Sequence, residues 1–284
     1  MKLDAATFLL QWGSGGLFFG WVTTRRREVS LGYGWLIRIV FGLMTLGAFV
    51  VFLTDEMTVA RSIATGCSLL ATVAAAIALA SSVVRRQAGV RGREELRASR
   101  RARVSAMIGR VEETGAIEGE EFSPALDLIA PVIGAVGLLA AAQFAGGPYA
   151  LAAARLLVGA LFLGSVTDAM LLGHWYLTQP GLPRDPIKEL VRWTAIIWPF
   201  EVLVFLWPTG MVQVLNGTID DGYDGLLGWI WVTCALMTIG LVGFTWAALK
   251  EKSYSAVMAA TGLLYLAILT AFGTDLLARA VLKP

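Results

Sequence analysis

Charge is scarce in this sequence. Only 15% of the residues are charged and 57% are hydrophobic, with a mean hydropathy of +0.69. A soluble domain carries about 25% charged residues. The chain has too little polar surface to face water all round, so lipid is its solvent. Histidine occurs once, at His174, which excludes a bis-histidine haem within the chain and argues against a zinc site, whose ligands come in clusters. The two cysteines, Cys67 and Cys234, lie inside apolar runs. They are too few for a disulfide framework and have no CxxC partner, and they read as small core residues. No phosphate-binding glycine loop, HExxH pair or GxSxG elbow occurs. These absences point away from a soluble-type catalytic machine, and the expectation is no cofactor and no metal.

What is present is apolar sequence in long runs. The 284 residues accommodate roughly eight spans of about 20 residues. They are placed at 5–24, 34–53, 63–84, 125–145, 149–177, 193–215, 226–249 and 256–281. The expected fold is an all-α integral membrane protein, a bundle of about eight transmembrane helices with one long basic cytoplasmic loop. The chain divides into 1–84 with three spans, the loop 85–123, and 124–284 with five spans. The first span is polar for its class, with Gln11, Ser14 and several glycines; Gly16 and Gly20 form a GxxxG that admits close helix approach. A cleaved signal peptide would carry its positive charge before the apolar run, whereas Arg25, Arg26 and Arg27 follow it. Arg38, one turn inside span two, is expected to snorkel to the interface.

The loop 85–123 is basic in its first part, with Arg97, Arg100 and Arg101 among its arginines, and acidic at its end. Val104, Met107, Ile108 and Val111 fall at helical spacing, which predicts a short amphipathic helix. The loop is expected to rest on anionic lipid headgroups. Without aromatic or motif support, nucleic acid is not expected as a partner. Within this loop and its end, MIGRVEETGAIEGEEF (107–122) resembles the helix–Gly–helix pattern of short SHOCT-type modules; the likeness is confined to these residues, and no role follows from it. Ser123 and Pro124 read as the cap and first residue of span four, with Asp127 in the first turn.

Basic and acidic loops alternate along the whole chain. Basic loops stay in the cytoplasm, which predicts a multi-pass protein of a bacterial inner membrane with both termini outside.

An ionisable side chain inside a span is costly unless it is paired or hydrated, so the few present are the candidates for function. Asp168 lies on span five and Glu201 on span six. Counted at 1.5 Å per residue, they sit about 8 Å and roughly 5 Å to the cytoplasmic side of their span midpoints. They are expected at similar depth, facing one cavity and sharing protons. Pro199 and Pro208 interrupt span six, and interrupted helices at membrane depth tend to line cavities. His174 with Tyr176 reads either as an interfacial anchor or as a proton-transfer or quinone-head-group site. Arg155, Asp275 and Arg279 are expected to form a structural ion network at the outer face, with Asp275 and Arg279 paired at i, i+4.

Two classes of function are compatible with these residues. One is a proton-coupled carrier of a small polar solute or ion, using Asp168, Glu201, His174, Tyr176 and Pro199. The other is a non-catalytic membrane subunit of a respiratory or biogenesis complex with a quinone contact, or a membrane scaffold. Co-purifying protein subunits would separate them.

Overall fold

The computed structural model describes residues 4–86, 122–179, 182–208, 210–251 and 253–282. The described residues form helices and no strand. The helices are α1 (Ala5–Thr24), α2 (Leu31–Phe52), α3 (Val59–Val84), α4 (Ile129–Ala141), α5 (Tyr149–Thr178), α6 (Asp185–Leu206), α7 (Met211–Leu215), α8 (Leu226–Ala248) and α9 (Tyr254–Val281). A 3-10 turn, Pro124–Leu128, runs into α4. The amphipathic helix expected near residue 107, and the headgroup contact expected of its loop, fall almost wholly outside the described residues.

Six helices are long and apolar enough to cross a membrane: α2, α3, α4 with its 3-10 turn, α5, α8 and α9. Their outer faces carry Leu43, Val73, Val132, Leu236, Phe244 and Leu269 exposed. An apolar surface on that scale requires lipid contact, and the protein is a multi-pass membrane protein.

Helix α1 falls outside that set for a physical reason. It packs on α2, α4 and α5, and its polar and small residues face protein. A Cβ on Gly13, Gly16 or Gly20 would strike Thr45, Phe41 or Ile37 of α2. Gly15 turns to α5, where its Cα lies on the backbone of Ala160 and Gly164. A helix surrounded by helices gains its stability from close packing and not from apolar transfer. The fold is thus two groups joined at the α1–α5 crossing: α2 and α4 against α1 with α3 packed across them, and α6 and α9 against α5 with α8 packed across those.

Helix α6 corrects the expected span 193–215 at both ends. It begins at Asp185, with Asp185 and Pro186 in its first turn, both of which favour a helix start. It ends at Leu206, because a proline disfavours helical backbone in the residue before it; Trp207, before Pro208, is extended at φ −143°, ψ 152°. The chain then doubles back so tightly that a Cβ on Gly210 would overlap the carbonyl oxygen of Phe205. The short α7 follows and buries Met211 and Val214 against Phe205, Trp231, Ala278 and Leu282.

Successive long helices alternate in direction, and side chains tie their like ends together. At the basic end Arg25 and Arg26 pair with Glu189, Trp175 donates to Ser30 Oγ at 2.7 Å, and Arg184 donates to the carbonyls of Glu251 and Ser253. Arg38 does not snorkel. It makes a buried two-pronged bond to Asp127, 2.7 Å on each side, and its guanidinium lies 4.7 Å from the centre of the Phe122 ring. Asp127 therefore holds Arg38 of α2 in addition to standing in the first turn before α4.

Candidate functional site

A buried charged cluster lies near the acidic end, where α1, α5, α6 and α9 meet. On α9, Arg279 Nε and Nη2 donate to Asp275 at 2.7 and 2.9 Å. The i, i+4 spacing puts the two on one face of the helix. Gln11 of α1 closes the pair from above: its Oε1 accepts from Arg279 Nη2 at 2.6 Å and its Nε2 donates to Asp275 Oδ1 at 3.3 Å. Gly159 of α5 makes room, since a Cβ there would meet the Gln11 amide and Asp275 Oδ1.

Arg155 of α5 reaches across to α6. Its Nε donates to Val204 O at 2.8 Å, one of the last carbonyls of a helix whose C-terminal dipole favours a cation. The Phe205 ring lies beneath both guanidinium groups, 5.4 Å from that of Arg155 and 5.9 Å from that of Arg279, a geometry that adds cation–π attraction.

Glu201 completes the cluster. It is fully buried, it interacts electrostatically with Asp275, Arg279 and Arg155, and neither of its carboxyl oxygens has a hydrogen-bond partner. Two guanidinium groups thus face two carboxyls, and Glu201 stands against the Asp275 carboxyl as well as the two arginines. A carboxyl set beside a second carboxyl and two cations can take up and release a proton, or exchange it for a small cation.

Asp168 lies elsewhere. Thr194 Oγ1 donates to Ser165 Oγ at 3.0 Å, so Ser165 and Thr194 are level, as are Arg155 and Val204. The two contacts lie ten residues apart on each helix and fix one antiparallel register. On it Glu201 is level with Val158 of α5, ten residues from Asp168, an axial separation of about 15 Å. The expectation of a shared site at one depth is therefore corrected. It took the middle of span six near residue 204, whereas α6 starts earlier and ends at Leu206.

Asp168 is itself fully buried, and both of its carboxyl oxygens lack a partner. It sits in the apolar core with Val166, Ala169 and Leu172. The hydroxyl of Tyr33 lies against it and donates to its backbone oxygen at 3.3 Å.

The other candidates are not brought to either carboxyl. Tyr176 is buried but donates to Pro183 O at 2.7 Å, which ties down the loop after α5. His174 is exposed, with Nδ1 3.2 Å from the hydroxyl of Tyr265 on α9. Pro199 stands on the exposed face of α6 beside Phe200, not toward a cavity. Among the described residues no three His, Cys, Asp or Glu side chains are grouped to hold a metal.

Compared with known families, curated proteins and solved structures, the chain matches none. The reading of the site rests on its own geometry. Sequence reasoning left out Gln11, Gly159, Tyr33, Ser165 and Thr194. Gln11 was visible as a polar residue in an otherwise apolar run; the hydroxyl residues carry no signal of their own, because membrane helices use serine and threonine throughout.

Proposed function

We propose that the protein is a proton-coupled carrier of a small polar solute or ion. In this reading it crosses a bacterial inner membrane eight times, α1 being a span shielded by its neighbours and α6 one whose first turns carry charge and whose later turns expose Ile196, Phe200 and Leu203. Its basic helix ends face the cytoplasm, where positively charged loops are retained. Glu201 is the proton-binding group. The observation that supports this most is a buried carboxyl with no hydrogen bond, set among Arg155, Asp275 and Arg279 at the end of a broken helix. Broken helices at membrane depth form solute and ion sites because their free ends offer unpaired backbone groups. Protonating Glu201 changes the cluster from balanced to positive, so binding a proton and binding an anionic or polar solute are linked through the same charges.

The test is electrical. Purified protein reconstituted in lipid on a capacitive sensor is challenged with amino acids, sugars and monovalent ions at acid and neutral pH. One class is expected to evoke proton-dependent currents, and Glu201→Gln to abolish them. Currents unchanged in Glu201→Gln overturn the reading.

The His174–Tyr265 pair supports the second reading. A histidine and a phenol, both exposed on the surface of the bundle, are the groups that would contact a quinone head group within a larger complex. Purification with stoichiometric redox subunits would favour it over the carrier.

A further inference from the structure

The two unpartnered carboxyls are joined by more than the helices that carry them. Ser165 is one turn from Asp168 on α5, and Thr194 is two turns from Glu201 on α6. Residues three or seven apart share a helix face. The bond between Ser165 and Thr194 shows that these faces are the ones in contact. Asp168, Ser165, Thr194 and Glu201 therefore lie in order along one buried seam, and each is buried to within 1% exposure. Ser165 also donates to Phe162 O, and Thr194 also lies 3.1 Å from Leu190 O, so each hydroxyl has a second oxygen to turn to. At the basic end of the seam the hydroxyl of Tyr33 adjoins Asp168; among the described residues it is the titratable group that acts on Asp168.

We propose that this seam is a proton path, with Asp168 a second proton-binding site and the Ser165–Thr194 pair its link toward Glu201. The inference rests on the carrier reading and adds the route by which its proton arrives. Asp168 takes a proton from the basic end and becomes a neutral carboxylic acid. It returns to carboxylate when the proton passes, by way of a bridging water molecule, to a hydroxyl oxygen of the pair, which gives up its own proton onward. From Thr194 to Glu201 the axial step is about 10 Å, which two or three water molecules at hydrogen-bond spacing (about 2.8 Å each) would bridge. Among the described residues the Asp168 carboxyl has the Tyr33 hydroxyl beside it and no cation to offset its burial, and a carboxyl so placed is held at lower cost with a proton than without one.

The experiment needs no solute. A pH jump is applied to reconstituted membranes on a capacitive sensor, and the transient charge displacement is recorded. Asp168→Asn is expected to remove most of the displaced charge. Thr194→Val, which deletes the hydroxyl, is expected to slow the relaxation by about 10²-fold, and Thr194→Ser to restore it, which separates loss of the hydroxyl from loss of folding. Wild-type amplitude and rate in both Asp168→Asn and Thr194→Val overturn the proposal. If that happens while Glu201→Gln still abolishes solute coupling, the carrier reading stands and the seam falls. If the seam variants behave as expected and Glu201→Gln leaves coupling intact, the carrier reading falls and the seam stands.

Discussion

Thr194 donates to Ser165 at 3.0 Å, between the middles of the two helices that carry the buried carboxyls. This one contact sets which residues of α5 and α6 are neighbours. In a background without Cys67 and Cys234, Ser165→Cys with Thr194→Cys is expected to form a disulfide on mild oxidation, since a disulfide needs Cβ atoms about 4 Å apart. Asp168→Cys with Glu201→Cys is expected to form none. Mass spectrometry of a protease digest distinguishes them, and an efficient cross-link in the second pair would contradict the register.

The Arg38–Asp127 pair joins α2 to the turn before α4 in a nearly dry setting. Removing one partner of such a pair strands a buried charge and costs about 3–5 kcal/mol, whereas replacing both by apolar residues is often neutral. Asp127→Ala is therefore expected to lower stability by that amount in mixed-micelle unfolding. Arg38→Met with Asp127→Leu is expected to recover most of it.

At the α1–α5 crossing, Gly15 lies so close to Ala160 that an added methyl must push the helices apart. Gly15→Ala is expected to destabilise by about 1–3 kcal/mol, the usual range for overpacking. Gly240 of α8 has open space around it, so Gly240→Ala is expected to stabilise by about 0.5–1 kcal/mol. Thermal unfolding of the two variants side by side is the measurement.

Outside the membrane, Asp221 accepts hydrogen bonds from the backbone N–H groups of Tyr223, Gly225, Leu227 and Gly228, the last two in the first turn of α8. Desolvation pushes its carboxyl upward, but these four donors outweigh it and hold the pKa below the ordinary value. A depressed folded pKa means that the unfolded state binds the proton more readily. The stabilisation is present above the unfolded pKa, about 3.9, and is lost as pH falls through the folded one. Hydrogen exchange at Leu227 and Gly228 is expected to lose protection in that acid window. In Asp221→Asn protection is expected to be lower at neutral pH and insensitive to acid. Equal pH dependence in both proteins would contradict the role.

Much of the bundle was legible because loop charge alternates and apolar runs have the right length, and these report directly on lipid and water. The close packing of α1 was legible too, since Gly16 and Gly20 mark close helix contact. The ends of α6 were misread because Pro208 acts on the residue before it, while Asp185 and Pro186 start a helix inside what composition marks as loop. That error carried into the site. Depth counted from span midpoints depends on where helices start, whereas register depends on which side chains interlock, and Ser165 and Thr194 look like any other hydroxyl residues. The Asp275–Arg279 pair was legible from its i, i+4 spacing alone. Its joining to Gln11, Arg155 and Glu201 required knowing that four helices converge.

The central claim is that Glu201 binds and releases a proton within its ring of charges. Infrared difference spectra of the protein in lipid, stepped between acid and neutral pH, read this directly. The account predicts a carboxylic-acid carbonyl band that appears on the acid side, vanishes in Glu201→Gln and persists in Asp168→Asn. A Glu201→Gln spectrum identical to wild type across the whole pH range would contradict it.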